Sequence, residues 1–245
     1  MNLNEDELPA SRLLALIRAG NIEALTDELA TDARWATATI VRRCEPEFRY
    51  PLINAATDWP GHFPNVDQTL HALVAAGADV NARCQGAHHE TPLHGAASSN
   101  DILAVETLLA LGADIEADGG VIAGGTPLDD AVAFAQWDAA QRLVVAGAHT
   151  AVWHAAALGL NDRVDAFFAA GEPPTKHPWG SPDSRAVDLA FWAACHGGQL
   201  AVAKGLLSRG ADPRWTTPWD GLSPKDAAVR AHAADVVVWL ESLPT

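Results

Sequence analysis

Cysteine is scarce in this 245-residue chain: Cys44, Cys84 and Cys195 stand far apart, with no CxxC pair. An odd number at such spacing argues against a disulfide framework and fits a reducing compartment, so a cytoplasmic protein is expected. Basic residues are also few, 16 against 31 acidic ones, and no basic run exceeds Arg42-Arg43. At a formal net charge of -15, neither nucleic acid nor an anionic membrane is an expected partner. No apolar run approaches the roughly 18 residues of a membrane-spanning helix. The opening MNLNEDELPA is acidic and lacks the basic-then-apolar order of a signal peptide. No G-x-S-x-G, P-loop, H-E-x-x-H or dinucleotide fingerprint occurs. Gly119-Gly120 and Gly124-Gly125 lack the lysine and helix context of a phosphate cradle. No cofactor is therefore expected. A metal is not expected either: His88-His89-Glu90 is the nearest thing to a ligand cluster, and adjacent histidines diverge in most loops.

What the chain does have is alanine, nine tryptophans and a recurring pattern. The stretch Thr91–Ala117 shows it best. Pro92 suits a first helical turn, where a missing N–H costs nothing. Ala96 and Ala97 favour helix. Asn100 and Asp101 end the first helix and can cap a second. Val105, Leu108 and Leu109 give that second helix an apolar stripe, and Gly112 stops it. Thr91-Pro92-Leu93-His94-Gly95-Ala96 followed by Gly112-Ala113-Asp114 closely resembles an ankyrin repeat, T-P-L-H-x-A with a second helix and G-A-D. Gly77, Gly112 and Gly147 recur every 35 residues, close to that family's period of about 33.

The resemblance implies an all-α ankyrin-repeat solenoid of about six helix-turn-helix units with β-hairpin or loop connections. In chain order, 10–30 reads as an N-terminal cap, with Ser11 capping a helix from Arg12 to Ala19 and a second from Ile22 to Ala30. Residues 31–49 read as an irregular segment, an extra helix or a degenerate repeat. Repeats follow at 50–81, 91–117, 126–148, 150–171 and 189–213, and 221–243 is the C-terminal cap. All are expected to form one domain, because each helix pair buries its apolar face only against a neighbour. Two excursions interrupt the period: Trp59-Pro60-Gly61-His62-Phe63-Pro64-Asn65, and the proline-rich Glu172–Pro182. Loops longer than a fold needs often carry function.

In ankyrin proteins the hairpin tips and the exposed face of the first helix do the binding. The residue after the TPLH histidine slot, with those three and four later, then lines the groove. For the first three full repeats this gives Asn54, Thr57 and Asp58; Gly95, Ser98 and Ser99; Asp130, Ala133 and Phe134. In the fourth, Trp153 is read in the histidine slot, giving His154, Ala157 and Leu158. In the fifth, Trp192 is read there, giving Ala193, His196 and Gly197. Trp59 and His62 come from the inserted loop. His94 itself is read as a scaffold residue, tying neighbouring turns by hydrogen bonds.

Two functions follow. The first is a binding module for another protein, through the groove and the hairpin tips. The second is a small-molecule binder or cofactor-independent enzyme. There His154 or His196 titrates near neutrality and Asp130 or Asp58 orients it as a base, within walls formed by Trp153 and Trp192. Cys195 is a conceivable nucleophile beside His196. The bland alternative is a polar, solvated protein-binding face, and a third reading is a structural subunit of a larger complex.

Overall fold

A computed structural model describes residues 1–45, 47–169 and 185–243. Most of the Glu172–Pro182 excursion's surroundings, and all of the excursion itself, lie outside the described residues. By their contacts the residues fall into two compact units, Met1–Ala148 and His149–Thr245.

The first unit opens with a small sheet. Strands β1 (Asn2–Asn4), β2 (Thr39–Val41) and β3 (Arg49–Pro51) lie in that order. β1 runs parallel to β2, with Leu3 opposite Ile40, and β2 runs antiparallel to β3, with Ile40 opposite Tyr50. Between β1 and β2 come the helices α1 (Ala10–Ala19) and α2 (Ile22–Thr31). Among the described residues of 31–49, left open above as irregular, an extra helix or a degenerate repeat, lie the short strand β2 and no further helix. Ser11 does not cap α1, which starts directly after Pro9, and that expectation is corrected. Asn21 does cap α2, its side-chain oxygen accepting from the Ala24 N–H at 3.2 Å.

β3 runs straight into a 3-10 turn, Leu52–Ala56, which stands where the first helix of a repeat is expected. Its partner is α3 (Val66–Ala75). Two regular pairs follow: α4 (Pro92–Ser98) with α5 (Ile102–Ala110), and α6 (Pro127–Ala133) with α7 (Trp137–Val145). The second unit holds α8 (Val152–Ala157) and α9 (Asn161–Ala169), then α10 (Ala186–His196) with α11 (Leu200–Ser208), then α12 (Pro224–Arg230) with α13 (Ala234–Glu241).

The helix starts repeat because the same local chemistry repeats. Thr126 caps α6: its N–H and hydroxyl donate to the Asp129 carboxylate at 2.6 and 2.8 Å. Ser223 and Asp226 do the same for α12, at 2.9 and 2.5 Å. Thr91 and His94 do it for α4, with the imidazole as acceptor. In each case Pro fills the next position, where its missing N–H leaves no bond unmade. Burial completes the pattern. Leu70 and Leu73 of α3, Val105 and Leu108 of α5 and Leu143 of α7 are wholly shielded, the same apolar stripe repeated in each second helix. Within the first unit loops and turns join the pairs, and the Asn81 side chain accepts from the Asp114 N–H at 2.7 Å, one repeat further on. In the second unit the close approach is tighter still. A Cβ placed on Gly197 would stand 1.9 Å from the Ala157 carbonyl oxygen, so no larger residue fits where α10 passes α8.

Candidate functional site

In the first unit the first-helix faces of three successive repeats line a cavity of about 480 Å³. From the 3-10 turn and the residues just after it come Asn54, Thr57 and Asp58. From α4 and its end come Gly95, Ser98 and Ser99. Phe134, which ends α6, and Trp59, from the inserted loop, stand at the same cavity. These are positions that the repeat register places in the groove. Gly95 is required by the packing, since a Cβ there would meet the Thr57 carbonyl oxygen at 2.7 Å. Trp59 and Phe134 stay well exposed, at 82% and 42%.

Other lining residues escape the register rule: Arg42, Phe48, Tyr50, Cys84, Glu90 and Val121. The small sheet explains the first three. β2 delivers Arg42 at its end and β3 carries Tyr50, so the N-terminal segment walls the cavity. The signal in the sequence was the aromatic and basic run Arg42–Tyr50 leading into a weak repeat opening. Glu90 directly precedes Thr91 and so stands at the mouth of the hairpin.

The electrostatics are lopsided. The Arg42 guanidinium pairs with Asp58 at 3.2 Å and lies over the rings of Phe48 and Tyr50, 4.7 and 5.4 Å from their centres. Glu90 is half-buried, and burial, then the nearby Asp58 charge, push its carboxyl above its ordinary range. Burial also pushes the Cys84 thiol up to about 12, so it is no nucleophile. Asn54 is 7% exposed. Its amide nitrogen donates to Cys84 Sγ at 3.4 Å and to the Glu90 carbonyl at 3.5 Å. Its Oδ1 has no hydrogen-bond partner, and neither has the buried Ser98 Oγ.

His62 and Asp130 do other work. The His62 ring nitrogen Nε2 lies 2.9 Å from the Ser99 carbonyl and its backbone N–H donates to Asp101 at 2.7 Å. Asp101 also caps α5, so the inserted loop is pinned to the α4–α5 corner. Asp130 is fully buried, and its carboxylate accepts from the N–H groups of Val121 and Ile122 at 3.3 and 3.0 Å. It props the loop that carries Val121 to the cavity, and it orients no imidazole. Burial, only partly offset by the Ile122 hydrogen bond, raises its carboxyl to about 7.

Trp153, His154, Trp192 and His196 belong to the second unit. The register read there is corrected. His154, not Trp153, holds the TPLH histidine position: it is the third residue of α8, and its Nδ1 accepts from the Ala151 N–H at 3.0 Å. In α10 that position is Asp188, which takes two hydrogen bonds from Arg185 at 2.8 Å each and one from the Asp212 N–H at 2.7 Å. The tryptophans pack on the histidines that follow them. Trp153 and His154 rings lie 3.7 Å apart, and Trp192 stacks on His196 at 5.3 Å. None of the four leaves more than 4% of its surface to solvent. Trp192 also donates to the Leu222 carbonyl at 3.1 Å. Cys195 is fully buried and its thiol is pushed up to about 12, which removes it as a nucleophile. His154→Ala is accordingly expected to lower stability by about 2 kcal/mol through the lost cap and packing. A thermal melt within one degree of wild type would return His154 to the list of ligand-facing residues.

The comparisons agree with this architecture. The ankyrin repeat family model matches residues 88–119. The crystal structure of the human ASB11 ankyrin repeat domain superposes with a TM-score of 0.52 at 19% identity, covering 95% of this chain and 99% of that one. Among curated proteins no sequence match is found. Residues 88–119 are an ankyrin repeat, and the chain has the fold of an ankyrin-repeat solenoid.

Proposed function

We propose that this chain is a protein-binding module and that a partner seats on the cavity of its first unit. The observation that carries this reading is the cavity's construction. Successive repeats supply its small polar floor, and two exposed aromatics, Trp59 and Phe134, stand at its edge. Exposed aromatics beside a pocket are what protein interfaces use as anchors. Ankyrin repeats in general bind other proteins. The competing reading, an Asp–His site in a tryptophan-walled hollow, loses its support. Asp130 is spent on backbone amides, His154 on a helix cap, and the two buried thiols stay protonated. Among the described residues no helix is long and apolar enough to cross a membrane. A reducing, cytoplasmic setting belongs to the same proposal, since Cys44 is an exposed free thiol.

The test is capture with a photo-crosslinking residue at Ser99, repeated with Trp59→Ala plus Phe134→Ala. The double variant is expected to bind any partner so identified about 30-fold more weakly, as for loss of an anchor worth about 2 kcal/mol. A partner held with undiminished affinity by the double variant would place the interface elsewhere.

A further inference from the structure

The cavity has more negative than positive charge and a carboxylate with nothing to pair with. Three ionisable side chains with full charges line it: Arg42, Asp58 and Glu90. Arg42 is committed to Asp58 and to the faces of Phe48 and Tyr50. Glu90 then remains. Its side chain makes no ion pair and no hydrogen bond among the described residues, although its backbone carbonyl is well used. Asn54 and Ser98 line the same cavity, but Asn54 Oδ1 and Ser98 Oγ are closed off from it, unpartnered and without accessible surface, so the cavity's open demand is that of Glu90. An unpaired carboxylate calls for a group that carries positive charge and N–H donors.

We infer that the cavity is a subsite for a basic side chain, lysine or arginine, presented by a partner protein, whose cationic head meets Glu90. The proposal rests on the protein-binding reading and deepens it. A volume near 480 Å³ accepts the long aliphatic stem along Phe48, Tyr50 and Phe134 with the charged end at the polar floor. The chain's net charge of -15 favours the approach of a basic partner. An anionic group would meet Asp58 and Glu90 against one arginine already paired. A neutral apolar group would leave Glu90 unpaired.

The probes are the Nα-acetyl methylamides of lysine, arginine, norleucine and glutamate, titrated into the full chain. Amide NMR signals of Asn54, Gly95 and Ser98 report binding. The lysine or arginine probe is expected to shift these signals saturably, and to bind at least about tenfold more tightly than norleucine. Which of the two binds better identifies the partner's residue. Glu90→Gln, which keeps the shape and removes the charge, is expected to lose about tenfold in affinity for the cationic probe. Should that variant fail to fold, Ser98→Lys sets a tethered ammonium in the cavity and is expected to exclude the probe. Norleucine binding as well as lysine, or glutamate binding better, overturns the proposal. The two readings fail separately. If no probe binds while Trp59→Ala plus Phe134→Ala still releases a partner, the basic subsite is wrong and the protein interface stands. If the lysine probe binds while the double variant keeps its partner, the subsite stands and the interface lies elsewhere.

Discussion

His94→Ala is expected to destabilise the first unit by about 3–5 kcal/mol and to lower its melting temperature by roughly 10 °C. The imidazole is fully buried, and it satisfies both of its nitrogens. Nδ1 accepts from the Thr91 N–H at 3.1 Å and lies 2.9 Å from the Thr91 hydroxyl, which donates to it. That leaves the proton on Nε2, which donates to the Gly125 carbonyl at 3.1 Å, 31 residues further along the chain. One ring therefore closes the start of α4 and ties it to the entry of α6. Alanine would leave a void, an open helix start and an orphaned carbonyl together. His94→Asp separates these contributions. Aspartate serves the same cap in α6 and α12, through Asp129 and Asp226, so it should restore the cap but not the link to Gly125. Its stability is expected to fall between wild type and alanine. Urea unfolding followed by circular dichroism reads both. Equal stability of the aspartate and alanine variants would mean that the cap contributes nothing and that the Gly125 link carries the whole effect.

That same cap chemistry decides how much of the molecule was legible. Where Thr or Ser precedes Pro and His or Asp follows at the third helical position, the register is written locally. The groove positions Gly95, Ser98, Ser99 and Phe134 then come out at one cavity, where Asn54, Thr57 and Asp58 join them from a repeat opening, Tyr50-Pro51-Leu52, that lacks this cap. Where the cap loses its side-chain hydroxyl, as at Ala151 and Arg185, the register slips. The tryptophans attract the eye to the wrong slot: Trp153 sits one place before the histidine position, and Trp192 four places after it. The sheet was not legible at all. Three residues are too few to show alternation, and β1 pairs with a strand more than thirty residues away. Arg42, Phe48 and Tyr50 therefore reached the cavity by a route that periodicity cannot reveal. Glu90 was legible only as part of a histidine-rich tip, because its value lies in its surroundings: burial and the neighbouring Asp58.

The pH dependence of stability should expose Asp130. Its carboxyl rises from 3.8 to about 7 in the folded chain, chiefly through burial. A raised acid favours folding while it is protonated, so its contribution is complete below pH 3.8 and is lost as pH climbs through 7. The whole window corresponds to something on the order of 4 kcal/mol. His94 acts in the opposite sense. Burial lowers its imidazole from 6.5 to about 4, so its contribution is present above pH 6.5 and lost as pH falls towards 4. Between those limits the two slopes oppose each other, and the wild-type profile is expected to be nearly flat. Above pH 6.5 the Asp130 slope remains. Glu90, raised by burial and by Asp58, adds in the same direction as Asp130. Asp130→Asn keeps the size and one acceptor for the Val121 and Ile122 amides while removing the charge. Its stability should therefore rise with pH from 4 to 6.5, by up to about 1 kcal/mol per pH unit, on the His94 slope less what the opposing Glu90 shift takes back. Near pH 8 it should exceed wild type, by up to about 4 kcal/mol less whatever the weaker amide acceptor gives back. Urea midpoints at pH 4.5, 5.5, 6.5 and 8 give both curves. Parallel profiles for the two proteins would show that Asp130 titrates as an ordinary carboxylate, and that the loop carrying Val121 is held by a charge which water still reaches.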